Sequence, residues 1–372
     1  MVKTTVSLIK ADVGSLAGHT IVPEPLFKVA RKKMAEAKEA GLINSFYVFN
    51  AGDDLELLMT HFKGESSEEI HALAWDTFTA AADKAKKLKL YGAGQDLLVD
   101  AFSGNVRGMG PGVAEMEFEE RRSDPMVIYA ADKTEPAAYN YLLYKIFADP
   151  FNTAGLVIDP RMVSGYKFEV FDAYQSKSVV LKTPEESYSL IALLGTTERY
   201  MVSKIWRASD DEIAATASTT KLALIAGTYV GKDDPVCMVR GQSGFPAMGE
   251  ITAPFLHTYL VAGWMRGSHW GPFMPVGLKN SMCTMFDGPP RIVALGVQIS
   301  DGKLASDDDG KPMIADIFED LAFDLARREA LDLASHLRRM GEFEPARLGP
   351  GAMEYTTLPQ VLKSLESRFK KV

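Results

Sequence analysis

SFYVFNAGDDLELLMTH, residues 45 to 61, is a run of aromatic and branched residues, a break at Asn-Ala-Gly, and then a second apolar run. Two strand-like segments joined by so short a break read as an antiparallel hairpin. The break delivers Asp53 and Asp54, so an acid pair sits at a strand end. Upstream, KTTVSLIK (3 to 10) alternates with a period of two and reads as a strand that leads to Asp12 and to a turn, VGSLAGH, carrying His19. Between these strands, residues 25 to 40 have helical spacing and stop at Gly41. Ser66 with Glu69 fits a capping box for a helix from Ser67 to about Lys89, on which His71 and Trp75 read as packing residues.

Downstream, YGAGQDLL and AFSGNVRGMGPG concentrate glycines around Gln95, Ser103, Asn105 and Arg107. Such a stretch either brings backbone N–H groups to a phosphate or forms an irregular loop. PMVIYAADK reads as a strand ending at Asp132 and Lys133, followed by a proline-started helix to Ala148. GLVID and YKFEVFDAY read as strands, Thr183, Pro184 and Glu186 as the start of a capped helix, and residues 198 to 216 as mixed helical. KLALIAGTYVGKDDPVCMVRGQ (221 to 242) reads as strand, turn, strand, with Lys232 at the turn of a hairpin. Residues 263 to 291 read as a long irregular segment with Arg266, His269 and Asp287. RIVALGVQIS is a strand, SDDDGK (306 to 311) a solvated turn, and 315 to 340 and 359 to 371 helices around Tyr355.

The chain has 372 residues, 47% of them apolar, which suffices for a packed core in one large domain or two ordinary ones. A formal charge of −8 argues against an electrostatic nucleic-acid binder. Cys237 and Cys283 are too few for a disulfide framework or a cysteine zinc site, and no apolar run approaches a membrane span. The expectation is a soluble cytoplasmic protein.

Asp12, Asp53 with Asp54, Asp132, and Asp233 with Asp234 each follow a separate strand. Each alone reads more readily as a turn residue; their recurrence near Gln95 favours a hard divalent cation such as magnesium. His19 is open as ligand, acid or base, or phosphate contact, whereas His61, His71 and His257 read as structural. Arg266 and Lys133 are candidate phosphate clamps. In GTYVGKDDP (227 to 235), Lys232 is a candidate amine nucleophile and Tyr229 a proton carrier, against the plain reading of a polar turn. Adjacent carboxylates keep a lysine charged, while a nucleophile must be neutral; a cation on those acids would lower the lysine pKa.

MVKTTVSLIKADVGSLAGH, GDDLELLMTH, GQDLLVDAFSGNVRGMGPGVAEME, ADKTEPAAYN, ADPFNTAGLVIDP, YVGKDDP, GWMRGSHWGP, FDGPPR and EYTTLP, in this order across the chain, resemble the bifunctional archaeal-type fructose-1,6-bisphosphate aldolase/phosphatase family. The resemblance implies condensation of dihydroxyacetone phosphate with glyceraldehyde 3-phosphate, then removal of the C1 phosphate to give fructose 6-phosphate. Lys232 would form the Schiff base, Tyr229 would move the aldol proton, and Asp12 would serve the phosphatase step. Asp12, Asp53, Asp54, Gln95, Asp132, Asp233 and Asp234 would bind several Mg2+ ions per subunit. His19, Tyr91, Gly104, Asn105, Lys133, Gln242, Ser243, Arg266, Asp287 and Tyr355 would hold sugar and phosphate groups.

The fold expected is α/β (α+β), one domain over residues 1–372. The hairpin spacing supports antiparallel sheets; a layered α-β-β-α sandwich and a homo-oligomer, an octamer, follow from the resemblance. The partners expected are small sugar phosphates, with neither nucleic acid nor membrane. Two rival readings are a magnesium-dependent sugar phosphatase without aldolase activity and a metal-dependent sugar-phosphate sensor.

Overall fold

The computed structural model describes residues 3–97, 110–225, 234–264, 269–285, 288–340 and 357–371. Alternation at the N-terminus gives strand β1 (Thr4–Asp12), which is followed by helix α1 (Glu24–Glu39). Gly41, at φ 73°, ends α1 as its sequence predicts, with its N–H on the Lys38 carbonyl. The hairpin of residues 45 to 61 forms as β2 (Ser45–Ala51) and β3 (Asp54–His61), with Ala51 opposite Asp54 and Gly52–Asp53 as the loop.

Helix α2 (Glu68–Lys87) begins without the expected capping box: Ser67 is the N-cap and has no side-chain bond. Ser66 instead turns at φ 57° to give its N–H to Glu115, while Glu69 pairs with Lys63. Strands β4 (Gly112–Phe118) and β5 (Asp124–Asp132) follow, then α3 (Tyr139–Ala148). GLVID is not a strand but a one-turn helix, α4 (Gly155–Ile158), with Val157 and Ile158 exposed. So short an apolar run does not distinguish the two.

Strands β6 (Tyr166–Asp172) and β7 (Lys177–Lys182) form a hairpin ahead of α5 (Ser187–Leu194). The predicted cap of α5 is absent because Thr183 bonds Tyr166 and Glu186 takes the Lys182 N–H and Arg368. Residues 198 to 216, read as helical, form β8 (Tyr200–Arg207) and β9 (Ile213–Ala217). Burial on both faces of a sheet erases the period of two that would have marked them.

The stretch from 221 to 242 is not a hairpin. Strand β10 (Thr220–Lys221) pairs with β4, whereas β11 (Val236–Arg240) lies between β5 and β9 in another sheet. After α6 (Met248–Thr252), β12 (Leu260–Gly263) leads into the expected irregular segment, which contains β13 (His269–Pro272) and β14 (Met274–Pro275). RIVALGVQIS is β15 (Arg291–Ser300), edged by β16 (Lys303–Leu304) and β17 (Ala315–Asp316). The expected helix from Ala315 begins only as α7 (Asp324–Arg339), after two single 3-10 turns. The last helix, α8 (Leu358–Leu365), gives way to a 3-10 turn and β18 (Lys370–Lys371).

A five-stranded sheet has the order β10-β4-β1-β3-β2, and a larger one runs β14-β15-β5-β11-β9-β8-β6-β7-β18. Apart from the parallel β14–β15 pair, their ladders are antiparallel. Val6, Leu8 and Leu58 of the small sheet pack on Met126, Ile128 and Val293 of the large one. The opposite face of the small sheet, with Ile9, Leu55 and Leu57, is covered by Met34 of α1 and Phe78 of α2. Val127, Tyr129 and Phe168, on the far face of the large sheet, pack on Leu142 of α3, Leu193 of α5 and Val361 of α8. The layers are therefore helix, sheet, sheet, helix, as expected. No helix among the described residues is long and apolar enough to cross a membrane.

Candidate active site

Period-two alternation places Val6, Leu8, Lys10 and Asp12 of β1 on the face between the sheets. Asp12 ends that strand at the rim and lies opposite Asp54, the first residue of β3. Asp132 ends β5 in the large sheet, and Asp234 lies two residues before β11. Strand ends from both sheets thus bring their carboxylates to one edge of the sandwich.

His19 joins them. Its Nδ1 is 2.8 Å from Asp53 Oδ2 and 3.5 Å from Asp12 Oδ2, and its ring meets Tyr91 edge-on at 4.8 Å between centroids. The Lys133 ammonium bonds Asp53 Oδ1 and lies 2.7 Å from Asp132 Oδ1. Lys133 turns at φ 67°, so that its own N–H and that of Thr134 (3.2 Å) both donate to Asp234 Oδ1. Gln95 sits in a short 3-10 turn, and its Oε1, Asp12 Oδ2 and His19 Cε1 all surround the bare Cα of Gly92.

Burial pushes the Asp12 carboxyl up to about 6, against the pull of its bond to His19. Hydrogen bonds to Asp12 and Asp53 raise His19 to about 10. Burial would also raise Asp53, but the Lys133 charge and the His19 bond overrule it and hold Asp53 below the usual carboxylate range. Asp132, fully buried, is driven well above that range by burial. Burial disfavours the Lys133 charge, yet the carboxylates of Asp132, Asp53 and Asp234 more than restore it.

Those residues fit a divalent metal. Ligand atoms of Asp12, His19 and Asp53 lie within 4.8 Å of one another. Asp132 Oδ2 is buried and takes no hydrogen bond, and Lys133 reaches the other oxygen, so Oδ2 is the atom left to meet a cation. Hard oxygen donors dominate the set, as Mg2+ or a similar ion prefers. The turn at Gly52 is shaped around this group: a Cβ there would fall 1.9 Å from Asp132 Oδ2.

Sequence reasoning missed Lys10 and Asp96. The Lys10 ammonium, buried, is 3.3 Å from Asp54 Oδ1 and 3.8 Å from Asp96 Oδ2, and Asp96 also accepts the Asp12 N–H at 2.8 Å. The signal for Lys10 was its phase with Asp12 on an otherwise apolar strand face; Asp96 carried none beyond adjacency to Gln95.

Gln242 and Ser243 lie elsewhere. They follow β11, whereas Asp234 precedes it, and eight residues of extended chain span roughly 25 Å. Gln242, Ser243 and Gly244 have φ of 62°, 49° and 96°, an unfavourable run for side-chain-bearing residues. Arg121 holds this turn: its guanidinium donates to the carbonyls of Gly241 (3.0 Å), Gln242 (2.6 Å) and Ser243 (3.3 Å) and lies over the Phe245 ring. The side chains of Gln242 and Ser243 stay exposed. Gly104, Asn105, Tyr229, Lys232, Asp233, Arg266, Asp287 and Tyr355 lie outside the described residues.

A family model described as "Fructose-1,6-bisphosphatase" matches residues 3–370. The fructose-1,6-bisphosphate aldolase/phosphatase of Ignicoccus hospitalis is 59% identical over 370 residues, covering 100% of this chain and 94% of its own. Its namesake in Methanocaldococcus jannaschii is 56% identical over 99% of this chain and 92% of its own. The one in Moorella thermoacetica is 54% identical over 100% of this chain and 95% of its own.

Proposed function

The chain belongs to the fructose-1,6-bisphosphate aldolase/phosphatase family, and from that premise we propose that one site serves both of its reactions. The protein is a gluconeogenic enzyme: it joins dihydroxyacetone phosphate to glyceraldehyde 3-phosphate and then hydrolyses the C1 phosphate of fructose 1,6-bisphosphate. Its reading as one catalytic domain over residues 1–372, working in the cytoplasm, belongs to the proposal.

In the aldol step the Lys232 amine adds to the ketone of dihydroxyacetone phosphate, and loss of water leaves an imine. The imine takes up electrons as a C3 proton leaves to Tyr229, the resulting carbon nucleophile attacks the aldehyde, whose oxygen recovers a proton, and water then hydrolyses the product imine to free fructose 1,6-bisphosphate and the Lys232 amine. In the hydrolytic step Asp12 accepts a proton from the attacking water. His19, Tyr91, Gly104, Asn105, Lys133, Arg266, Asp287 and Tyr355 hold the sugar and its phosphates. The family works with a divalent metal, which we assign as Mg2+, several per subunit, on Asp12, Asp53, Asp54, Gln95, Asp132, Asp233 and Asp234. When bound it supplies charge to polarise the phosphoryl group and acidify water.

Gln242 and Ser243, at the opposite end of β11, belong to the substrate shell only if a second copy supplies them. That distance supports a homo-oligomer, which we assign as an octamer, with sites completed across subunits.

The observation that carries the reading is the meeting of Asp12, His19, Asp53, Asp132 and Lys133 at one rim of a chain matched end to end by its relatives. Incubating both triose phosphates with the enzyme and Mg2+ tests it: fructose 6-phosphate and inorganic phosphate should appear together and cease with EDTA. Hydrolysis of fructose 1,6-bisphosphate without any condensation would refute the aldolase half.

A further inference from the structure

A corner of the large sheet, remote from the acid rim, carries polar residues on a face that is otherwise apolar. Strand β7 lies five strands from β5, roughly 24 Å at ordinary strand spacing. Across this corner Tyr200 of β8 pairs with Asp172 of β6, Asp172 with Lys177 of β7, and Lys177 with Lys371 of β18. Directly paired residues project from the same face of a sheet, so the four side chains form one row. It is the face on which Val170, Val179 and Val202 meet the helices. Tyr200, Asp172 and Lys177 border a cavity of about 290 Å³ that is closed by Arg199 and by Leu362, Lys363, Glu366 and Phe369 at the end of α8.

The acid in the row is already saturated. Asp172 accepts Nε and Nη2 of Arg199 at 3.0 and 2.7 Å and the backbone N–H groups of Tyr174 and Gln175 at 2.9 and 3.2 Å. Lys177, Lys363 and Lys371 form no ion pair among the described residues, and Lys177 and Lys371, directly opposed, repel one another. Tyr200 is fully buried, yet its hydroxyl has no hydrogen-bond partner among the described residues. Its ring lies beside Phe369, at 6.5 Å between centroids, and the Arg199 guanidinium, at 4.9 Å, both walls of the cavity. An unpaired buried hydroxyl and an opposed lysine pair both weigh against folding. An anion answers both, for it accepts from the hydroxyl and offsets the ammonium groups. In a chain of formal charge −8, Lys177, Arg199 and Lys363 outnumber the lining acids, Asp172 and Glu366. A phosphate group brings close to two negative charges and three acceptor oxygens, enough for Tyr200, Lys177 and Lys363 together.

We propose that this cavity binds a small phosphate-bearing anion, with the Tyr200 hydroxyl donating to it and Lys177 and Lys363 balancing its charge. Tyr200 and Lys177 belong to the sheet and Lys363 to α8, so the anion fastens the C-terminal helix to the sheet. The site is separate from the acid rim, and the inference does not rest on the reading of the catalytic residues.

Equilibrium dialysis of labelled inorganic phosphate, in EDTA at constant ionic strength, tests it on wild type, Tyr200→Phe and the double variant Lys177→Gln, Lys363→Gln. Melting curves with and without phosphate, and kcat/KM for fructose 1,6-bisphosphate, are measured on the same samples. Expected is about one phosphate fewer per chain in the double variant and about tenfold weaker binding in Tyr200→Phe, with kcat/KM within about twofold of wild type in both. Without phosphate both variants should melt at or above wild type. Phosphate at about 100 times its dissociation constant should raise the wild-type melting temperature about 4 °C more than that of the double variant. Competition by glycerol 3-phosphate identifies the source: binding tenfold or more tighter than phosphate assigns an organic ester, and equal or weaker binding assigns inorganic phosphate. Equal phosphate binding by wild type and the double variant overturns the inference. Loss of hydrolysis in step with phosphate binding also overturns it, by placing the lost phosphate at the acid rim, as does a Tyr200→Phe protein that melts well below wild type without phosphate.

Discussion

Replacing Gly52 by alanine tests whether the β2–β3 turn and the end of β5 were built around one another. Gly52 has φ 55°, and a Cβ there would lie 1.9 Å from Asp132 Oδ2 and 2.2 Å from its Cγ, about 1.5 Å short of an ordinary contact. Asp132 cannot simply swing away, because it is fully buried and tied to Lys133. Either its carboxyl moves into packed surroundings or the turn lifts and takes Asp53 with it; both separate the carboxylates. The left-handed backbone costs alanine about 1 kcal/mol and overpacking a further 1 to 3 kcal/mol or so. A displacement of this size in a catalytic group lowers turnover roughly 100-fold. Gly41→Ala supplies the control, since Gly41 has φ 73° but nothing within 4 Å of the added Cβ, so that variant shows the backbone cost alone. The assay is kcat/KM for fructose 1,6-bisphosphate against divalent-ion concentration, beside melting temperature. A Gly52→Ala enzyme that matches Gly41→Ala at every ion concentration would refute the reasoning.

Arg121→Met removes the donors on the Gly241, Gln242 and Ser243 carbonyls; KM for fructose 1,6-bisphosphate should rise about tenfold with kcat within about threefold, the pattern of lost ground-state binding. Lys10→Met removes the buried ammonium that lies 3.3 Å from Asp54 and 3.8 Å from Asp96 and should destabilise the fold by about 3 kcal/mol in denaturant unfolding. His61 is neutral in the fold, where burial lowers it from 6.5 to about 4. Its contribution is therefore complete above pH 6.5 and is lost as pH falls towards 4, on the order of 3 kcal/mol, because the unfolded chain binds the proton more readily. His61→Asn should flatten that part of the stability profile, which urea titrations at pH 7, 5.5 and 4 would report.

Local patterns carried the hairpin, β1, β15 and the placement of acids at strand ends, because each is written in the alternation and breaks of adjacent residues. Residues 198 to 216 failed that test since both faces of β8 and β9 are covered. The hairpin expected around Lys232 failed for another reason: β10 and β11 look like partners in sequence, and only the stacking of two sheets decides that they are not. Asp12, Asp53, Asp54, Asp132 and Asp234 were legible as acids after strands, and His19 as a neighbour of Asp12, yet the ties of Lys133 and of His19 to Asp53 are long-range and leave no local trace. Lys10, Asp96 and Arg121 were missed on the same ground, for their roles lie in partners such as Asp54, Asp12 and Gly241, far away in the chain. His71 was read as packing because helical spacing reports which face is buried and is silent on its bond to the Ala223 N–H.

The central claim is that one site performs both reactions. Trapping the enzyme with dihydroxyacetone phosphate and borohydride, mapping the modified peptide, and then assaying hydrolysis of fructose 1,6-bisphosphate with Mg2+ addresses it most directly. A single adduct on Lys232 with hydrolysis lost in proportion to the modification is the predicted result. An adduct on another residue, or a fully modified enzyme that still hydrolyses at the untreated rate, would contradict it.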